Sequence, residues 1–138
     1  MMKLKLIGIL VFALALSGCE KDPGEGGTAS IKGTVNKEFR LVLSNPATTQ
    51  YTVAAADEDV YIVYGDNISP DDRILTNYNG EFEFRNLRKG KYTIYVYSND
   101  NTGTSGVDIE KMVVKQEIEI QDKGQSVEAE TMTIYDVP

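Results

Sequence analysis

The chain has 138 residues, with 14 basic and 21 acidic side chains and a formal net charge of −7, which suffices for one domain and hardly for two. This acidic balance argues against a nucleic-acid partner, because phosphates require a basic surface. The sequence has no histidine and one cysteine, which excludes Ser-His-Asp and Cys-His catalysis, most zinc sites and an intramolecular disulfide.

The N-terminus has the pattern of a secretion signal. Lys3 and Lys5 precede an apolar run over residues 6–16, which ends in the sequence L-S-G-C at Cys19. A run of this length is too short to span a bilayer and is typical of a cleaved signal peptide. The four residues resemble the lipobox of bacterial lipoprotein precursors, which implies a signal peptide over residues 1–18 and membrane-anchoring acyl chains on Cys19. The alternative is a chance cysteine near the end of an ordinary signal peptide.

The residues after Cys19 predict a tether and a location. Residues 19–29 contain three glycines and one proline without an apolar pattern, which predicts a flexible tether before a single domain over residues 30–138. Glu20, Lys21 and Asp22 resemble the surface-export signal of lipoproteins in some Gram-negative bacteria. We therefore expect an outer-membrane protein, with the outer face favoured over the periplasmic face. The alternative is a solvated tether without a sorting role.

Apolar and polar residues alternate with period two along most of the remaining chain, which predicts strands. Residues 37–56 are predicted to be an insertion, in which Phe39–Leu43 is either a short strand or a continuation of the first strand and Tyr51–Ala55 pairs back as a small hairpin. Gln116 interrupts one apolar series, and a change of phase near Glu130 predicts a β-bulge. The predicted strands are Ser30–Asn36, Asp59–Tyr64, Arg73–Tyr78, Glu81–Arg85, Lys91–Tyr97, Lys111–Ile120 and Val127–Tyr135.

The stretch Thr76–Val96 is the centre of the predicted fold. Phe82 and Phe84 alternate with charged residues and are expected to face the core. Asn79-Gly80 predicts a type I′ hairpin turn, and Gly90 predicts a second turn.

This stretch follows the pattern T-x-x-x-G-x-F-x-F-x-x-L-x-x-G-x-Y-x-I-x-V. The pattern resembles the central motif of the carboxypeptidase regulatory-like and Cna B-type domains, which belong to the transthyretin-like, or prealbumin-like, β-sandwich group. The resemblance implies an all-β, antiparallel Greek-key β-sandwich of seven or slightly more strands. It also implies a spacer or accessory module. Lys32 lies where some Cna B-type domains place an isopeptide lysine, but the last strand has no Asn, so that bond is not expected. The matching residues are Thr76, Gly80, Phe82, Phe84, Leu87, Gly90, Tyr92, Ile94 and Val96.

Three tyrosines lie out of phase with the predicted core. Tyr61, Tyr95 and Tyr97 would form an aromatic stripe on one sheet face if their strands are neighbours. Such a stripe can stack on a sugar ring or contact a protein. The alternative is ordinary cross-strand packing of tyrosines on a sheet surface.

Two acidic loops contain weak candidates for calcium ligands. Asp66, Asp71 and Asp72 lie in one loop, and a second group runs from Asn99 to Asp108. Neither has the regular spacing of a calcium loop, and Asn and Asp are also favoured in turns for their own hydrogen bonds. We therefore predict no metal and no cofactor.

These observations predict a lipid-anchored, non-catalytic module for protein or glycan interaction at the outer membrane. The tyrosine stripe and the insertion over residues 37–56 are the expected contact regions. A structural envelope lipoprotein without a soluble ligand is the first alternative. A carboxylate-based hydrolase is the second, because the lone cysteine and the absence of histidine leave carboxylates as the available catalytic groups.

Overall fold

A computed structural model describes residues 21–41, 48–99 and 111–136, so the signal segment and Cys19 lie outside the described residues. The described chain is all-β, as predicted, and none of it forms a helix able to cross a membrane. The strands are β1 (Glu25–Leu41), β2 (Thr48–Ala54), β3 (Asp59–Tyr64), β4 (Asp72–Leu75), β5 (Glu81–Leu87), β6 (Gly90–Asn99), β7 (Lys111–Ile120), β8 (Ser126–Glu128) and β9 (Met132–Asp136).

The first sheet is built around β1. The first half of β1 lies between β5 and β8, with Ile31 opposite Phe84 and Val127. Its second half lies between β2 and β9, with Val35 opposite Met132. Antiparallel pairing dominates the molecule, as predicted, but β8 and β9 run parallel to β1. Parallel pairs need long crossover connections, and here the chain passes through the whole second sheet before it returns, so no local turn signal marks this pairing.

The second sheet has the strand order β4-β3-β6-β7 and is antiparallel throughout. The two sheets form a sandwich with a core supplied by alternate residues of each strand. Phe82 and Phe84 are both buried, as predicted. Burial of each such side chain contributes about 1.5–3 kcal/mol to the stability of the fold. The core side chains include Ile31, Val35, Phe82, Phe84, Leu87, Met132 and Ile134 from the first sheet and Val60, Ile62, Tyr92, Ile94, Val96, Ile118 and Ile120 from the second.

The two turns of the central stretch connect the sheets. β4 and β6 belong to the second sheet and β5 to the first, so the predicted hairpin at Asn79-Gly80 is wrong, and the predicted turn at Gly90 also connects the two sheets. The first turn is closed by the Gly80 amide, which donates to the Asn77 carbonyl at 2.9 Å. Gly80 has a φ of +73°, whereas Asn79 is not among the residues with positive φ, so the turn is not type I′. Period two and turn residues identify strands and turns, but they do not say whether the next strand stays in the same sheet.

The insertion pairs back on itself as predicted. β2 is antiparallel to the second half of β1, with Ala54 opposite Asn36. The Phe39 and Tyr51 rings stack with centroids 4.7 Å apart. Residues 42–47, between the two strands, lie outside the described residues.

Part of the predicted tether belongs to the fold. β1 begins at Glu25, so the prediction of a flexible segment is wrong for residues 25–29. Just before β1, the Arg88 side chain donates to the carbonyl of Asp22 at 2.8 Å. The buried Tyr92 hydroxyl accepts from the Gly24 amide at 2.9 Å and donates to the Arg88 carbonyl at 2.7 Å. This arrangement is a tyrosine corner, and it attaches the start of the chain to the sandwich.

The predicted β-bulge near Glu130 is wrong, because the change of phase there is a break between the separate strands β8 and β9. Gln116 on β7 spans this break. Its side-chain amide donates to the Glu130 carbonyl at 2.6 Å and accepts from the Glu130 amide at 2.9 Å. The polar residue that interrupts the apolar series of β7 therefore holds the two sheets together at one rim of the sandwich.

Candidate functional site

Three tyrosines of β3 and β6 form a cluster on the outer face of the second sheet. Tyr61 lies directly opposite Tyr95 across the two strands, and Tyr97 follows Tyr95 two positions later on the same face. Their sequence neighbours point the other way and are buried in the core. The three predicted tyrosines are therefore brought together, and we refer to Tyr61, Tyr95 and Tyr97 as the outer tyrosine cluster.

The rings of the outer tyrosine cluster contact one another. Tyr61 and Tyr95 stack with centroids 5.0 Å apart and an interplanar angle of 12°. Tyr97 packs edge-on, with its centroid 5.6 Å from each of the other two. Each contact of this kind stabilises the fold by about 0.5–1.5 kcal/mol in addition to the energy of burying the rings. Tyr61 and Tyr95 are half-buried, while Tyr97 is 49% exposed, so the cluster is a partly ordered aromatic surface that is open to solvent.

The hydroxyl of Tyr95 remains protonated at neutral pH. Burial raises the pKa of Tyr95 above its usual value, and the neighbouring Tyr97 and Tyr61 raise it further. A neutral phenol can both donate and accept a hydrogen bond. The cluster therefore combines aromatic rings with hydroxyls suited to polar ligands.

Strand register adds three residues that sequence analysis missed. Arg73 on β4 lies opposite Tyr61, and on β7 Lys115 lies opposite Tyr95 and Val113 opposite Tyr97. Arg73 forms an ion pair with Asp59 at 3.1 Å, and Val113 is 48% exposed. A row of cation, two tyrosines and cation therefore crosses the four strands. Only the pairing register reveals this row, because its members come from four separate segments.

A second tyrosine pair on the same strands has a structural role. The Tyr64 and Tyr92 rings meet edge-to-face with centroids 5.7 Å apart. Burial raises the pKa of Tyr64 to about 12, with further contributions from the charges of Glu25, Asp72 and Asp71. Burial likewise raises the pKa of Tyr92. These two tyrosines belong to the core and its margin rather than to a binding surface.

The predicted calcium ligands are engaged in turn hydrogen bonds. Asp71 accepts from the Tyr64 amide at 2.7 Å and from the Asn67 side chain at 2.8 Å. Asp72 accepts from the amide of Arg73 at 2.7 Å. No three acidic, cysteine or histidine side chains in the described parts of the chain lie close enough together to hold a metal ion. Asp71 and Asp72 therefore have the local hydrogen bonds that are common for Asp in turns and at strand ends.

Of the second predicted calcium group, only Asn99 lies within the described residues. Its side-chain oxygen accepts from the Lys111 ammonium at 2.7 Å. Asp100, Asn101 and Asp108 lie outside the described residues.

A concave surface lies where β4 meets the outer side of the first sheet. It has a volume of about 720 Å³ and includes Lys32, Glu83, Arg85 and Glu128. Lys32 is exposed and lies opposite both glutamates in the strand register, in agreement with its interpretation as a surface lysine. Glu83 is ion-paired with Arg85 at 2.6 Å, so one of the carboxylates that a hydrolase would use already has a partner.

Comparison with known proteins matches part of the chain by sequence and most of it by structure. The sequence profile of the Y_Y_Y domain matches residues 53–115, the stretch that carries the outer tyrosine cluster. Among solved structures, the chain is similar to a Pseudomonas aeruginosa protein described as a candidate carbohydrate-binding protein. The match has 12% sequence identity and a TM-score of 0.44, and covers 82% of this chain and 91% of that one. A likeness at this level assigns no function. Among curated proteins, none matches this sequence.

Proposed function

We propose that this protein is a non-catalytic binding module of the bacterial cell envelope and that the outer tyrosine cluster is its contact surface for a glycan. One observation carries the proposal. Three tyrosines that are separated in sequence meet on the solvent side of two central strands, with Tyr97 half-exposed. Central strands of a sandwich form a rigid support, and rigid aromatic residues bind ligands at a low entropic cost.

The size of the cluster favours a glycan over a protein as its main ligand. A standard protein interface covers about 800 Å² on each partner. A tyrosine offers at most about 150–250 Å², and ring contacts within this cluster already cover part of that area. A sugar ring has an apolar C–H face that stacks on an aromatic ring, and its hydroxyls can bond to tyrosine hydroxyls and to the ends of Arg73 and Lys115.

The available chemistry supports a non-catalytic role. The chain has no histidine, and its single cysteine is the residue that we propose is acylated. Carboxylates remain, but Asp71 is occupied by turn hydrogen bonds and Glu83 by Arg85. The transthyretin-like and Cna B-type domains that the chain resembles serve as accessory or spacer modules, which agrees with a binding role.

The proposal includes lipid anchoring through Cys19 at the outer membrane, with the outer face favoured. The Arg88 side chain holds the chain at the Asp22 carbonyl. Asp22 is three positions after Cys19. Three residues span at most about 10 Å. An acylated Cys19 would therefore keep the sandwich close to the membrane surface instead of on a long tether.

Binding can be tested on a glycan array with the wild type, Tyr95→Ala and the control Tyr78→Ala. Tyr78 is 91% exposed and lies in the turn after β4, away from the cluster. We expect Tyr95→Ala to weaken glycan binding about tenfold or more and Tyr78→Ala to leave it unchanged. Equal binding by all three proteins, or binding to a protein ligand without any glycan, would contradict the proposal.

Anchoring is tested separately by metabolic labelling with a fatty acid. We expect label on the wild type and none on Cys19→Ser. Equal labelling of the two proteins would remove the anchor from the proposal and leave the glycan surface to stand on its own test.

A further inference from the structure

The second sheet ends in a long strand that has a partner on one side only. β7 is ten residues long and pairs with β6 over its whole length without a register shift. It is the last strand in the sheet, and its other edge pairs with no strand in the described ranges. Natural proteins usually protect such edges with short strands, prolines or bulges, because a regular edge can pair with another chain. β7 has none of these three devices, and its edge is marked instead by charged residues on the outer face.

The opposite edge of the same sheet shows the contrast. β4 is four residues long, follows Pro70 closely and carries the Arg73–Asp59 ion pair. It is therefore a protected edge. On β7, by comparison, the inner residues Met112 and Val114 stay half-buried, although their neighbours on β6 are fully buried. An additional strand beside β7 would cover this apolar surface.

The charge pattern of β7 identifies the strand that fits. Lys115 and Glu117 lie on its outer face at alternate positions, separated by Gln116. We propose that β7 pairs antiparallel with β7 of a second copy of this chain, around a two-fold axis at Gln116. Lys115 then lies opposite Glu117 of the second copy, and Glu117 lies opposite its Lys115. The dimer gains two opposite-charge pairs, and each cross-strand pair of this kind is stabilising.

The inner face agrees with the same register. Pairing around Gln116 places Val114 opposite Ile118 and Met112 opposite Ile120 of the second copy, which joins apolar to apolar residues. The Gln116 side chain at the axis is already hydrogen-bonded to Glu130 of its own chain. It therefore leaves no unpaired amide at the centre of the interface.

Neighbouring registers are disfavoured. An axis at Lys115 places Lys115 opposite itself, and an axis at Glu117 places Glu117 opposite itself, and directly opposed like charges destabilise a strand pair. An axis between two residues would turn one strand over and place apolar residues on the outer face. The charges at Lys115 and Glu117 therefore favour the register centred on Gln116 over these neighbouring registers.

Such a dimer would join two four-stranded sheets into one continuous sheet. The two copies of Tyr95 would lie three strand spacings apart across the sheet, about 14 Å, and two residues apart along the strands, about 7 Å, on the same outer face. Two clusters on one face would bind a repeating glycan more strongly than either one alone. The stronger glycan binding rests on the proposed function, whereas the dimer itself does not.

The interface can be read directly from a zero-length cross-link. Unlabelled and ¹⁵N-labelled full-length protein are mixed, treated with a carbodiimide that joins lysine to glutamate, and digested for mass spectrometry. We expect a mixed-isotope cross-link between Lys115 and Glu117, which can arise only between two chains. Cross-links between these residues within single chains alone would overturn the proposal.

Charge reversal provides the second readout, measured by sedimentation of the full-length protein. Lys115→Glu and Glu117→Lys should each raise the dimer Kd about tenfold or more, whereas a mixture of the two variants should form heterodimers as tight as the wild-type dimer. Lys123→Glu makes the same charge change in the exposed turn after β7 and should leave the Kd unchanged. A monomeric wild type, or single variants as dimeric as the wild type, would overturn the inference. None of these measurements uses a glycan, so their failure is distinct from failure of the proposed function.

Discussion

Strands β3 and β6 carry two tyrosine groups with different roles. Tyr64 and Tyr92 meet on the core side, and Tyr61, Tyr95 and Tyr97 meet on the solvent side. Tyr92 is 1% exposed and its hydroxyl is bonded to backbone groups, whereas Tyr97 is 49% exposed. Residues three positions apart on a strand face opposite sides, so the same residue type stabilises the fold on one face and is available to a ligand on the other.

The largest expected contrast comes from removing one ring from each group. Tyr92→Ala should lower the free energy of unfolding by about 3–5 kcal/mol, because it leaves a cavity in the core. Tyr97→Ala should lower it by only about 1–2 kcal/mol, because the half-exposed ring loses its edge contacts with Tyr61 and Tyr95 but leaves no cavity in the core. Urea unfolding of the two variants measures both values. Similar losses for both would show that the outer cluster is also structural.

A smaller change separates the hydroxyl of Tyr92 from its ring. Tyr92→Phe keeps the apolar packing but leaves the Gly24 amide and the Arg88 carbonyl without this partner. We expect a loss of about 1–3 kcal/mol in the free energy of unfolding, with glycan binding by the folded protein unchanged. Faster proteolysis near Gly24 would accompany this loss. A variant as stable as the wild type would mean that the tyrosine corner does not hold the start of the chain.

The burial of Tyr64 can be tested by measuring stability at alkaline pH. The pKa of Tyr64 is raised to about 12 in the folded state, so folding favours its protonated form. Its contribution to stability is fully present below pH 10, near the pKa of the unfolded chain, and is lost as the pH rises from about 10 towards 12. Unfolding measured across this range should show that loss in the wild type, and Tyr64→Phe should show less of it. The same pH dependence in both proteins would contradict this assignment.

The smallest expected effect tests how the outer cluster binds. Tyr61→Phe keeps the stack with Tyr95 and removes one solvent-side hydroxyl, so stability should change by no more than about 0.5 kcal/mol. Glycan affinity should fall by less than it does for Tyr61→Ala, because the ring remains. Equal losses of affinity in the two variants would show that the hydroxyl dominates recognition and that stacking contributes little.

Period two in the sequence was sufficient to place individual side chains on a face. It predicted that Phe82 and Phe84 are buried and that Tyr61, Tyr95 and Tyr97 lie outside the core, because side-chain direction along a strand depends only on position. The same alternation is interrupted at Gln116 and changes phase near Glu130. It did not show that these two residues are hydrogen-bonded to each other, since one lies on β7 and the other in the break between β8 and β9.

The choice of strand partners was decided only by the tertiary structure. The turns at Gly80 and Gly90 look like hairpin turns in sequence but carry the chain between sheets, and β8 and β9 return to run parallel to β1. The row of Arg73, two tyrosines and Lys115, and the attachment of Gly24 to Tyr92, likewise depend on residues that are distant in the chain. Local alternation determines which way a side chain points, whereas pairing depends on how all the strands together bury their apolar faces, and that balance cannot be read from any single segment.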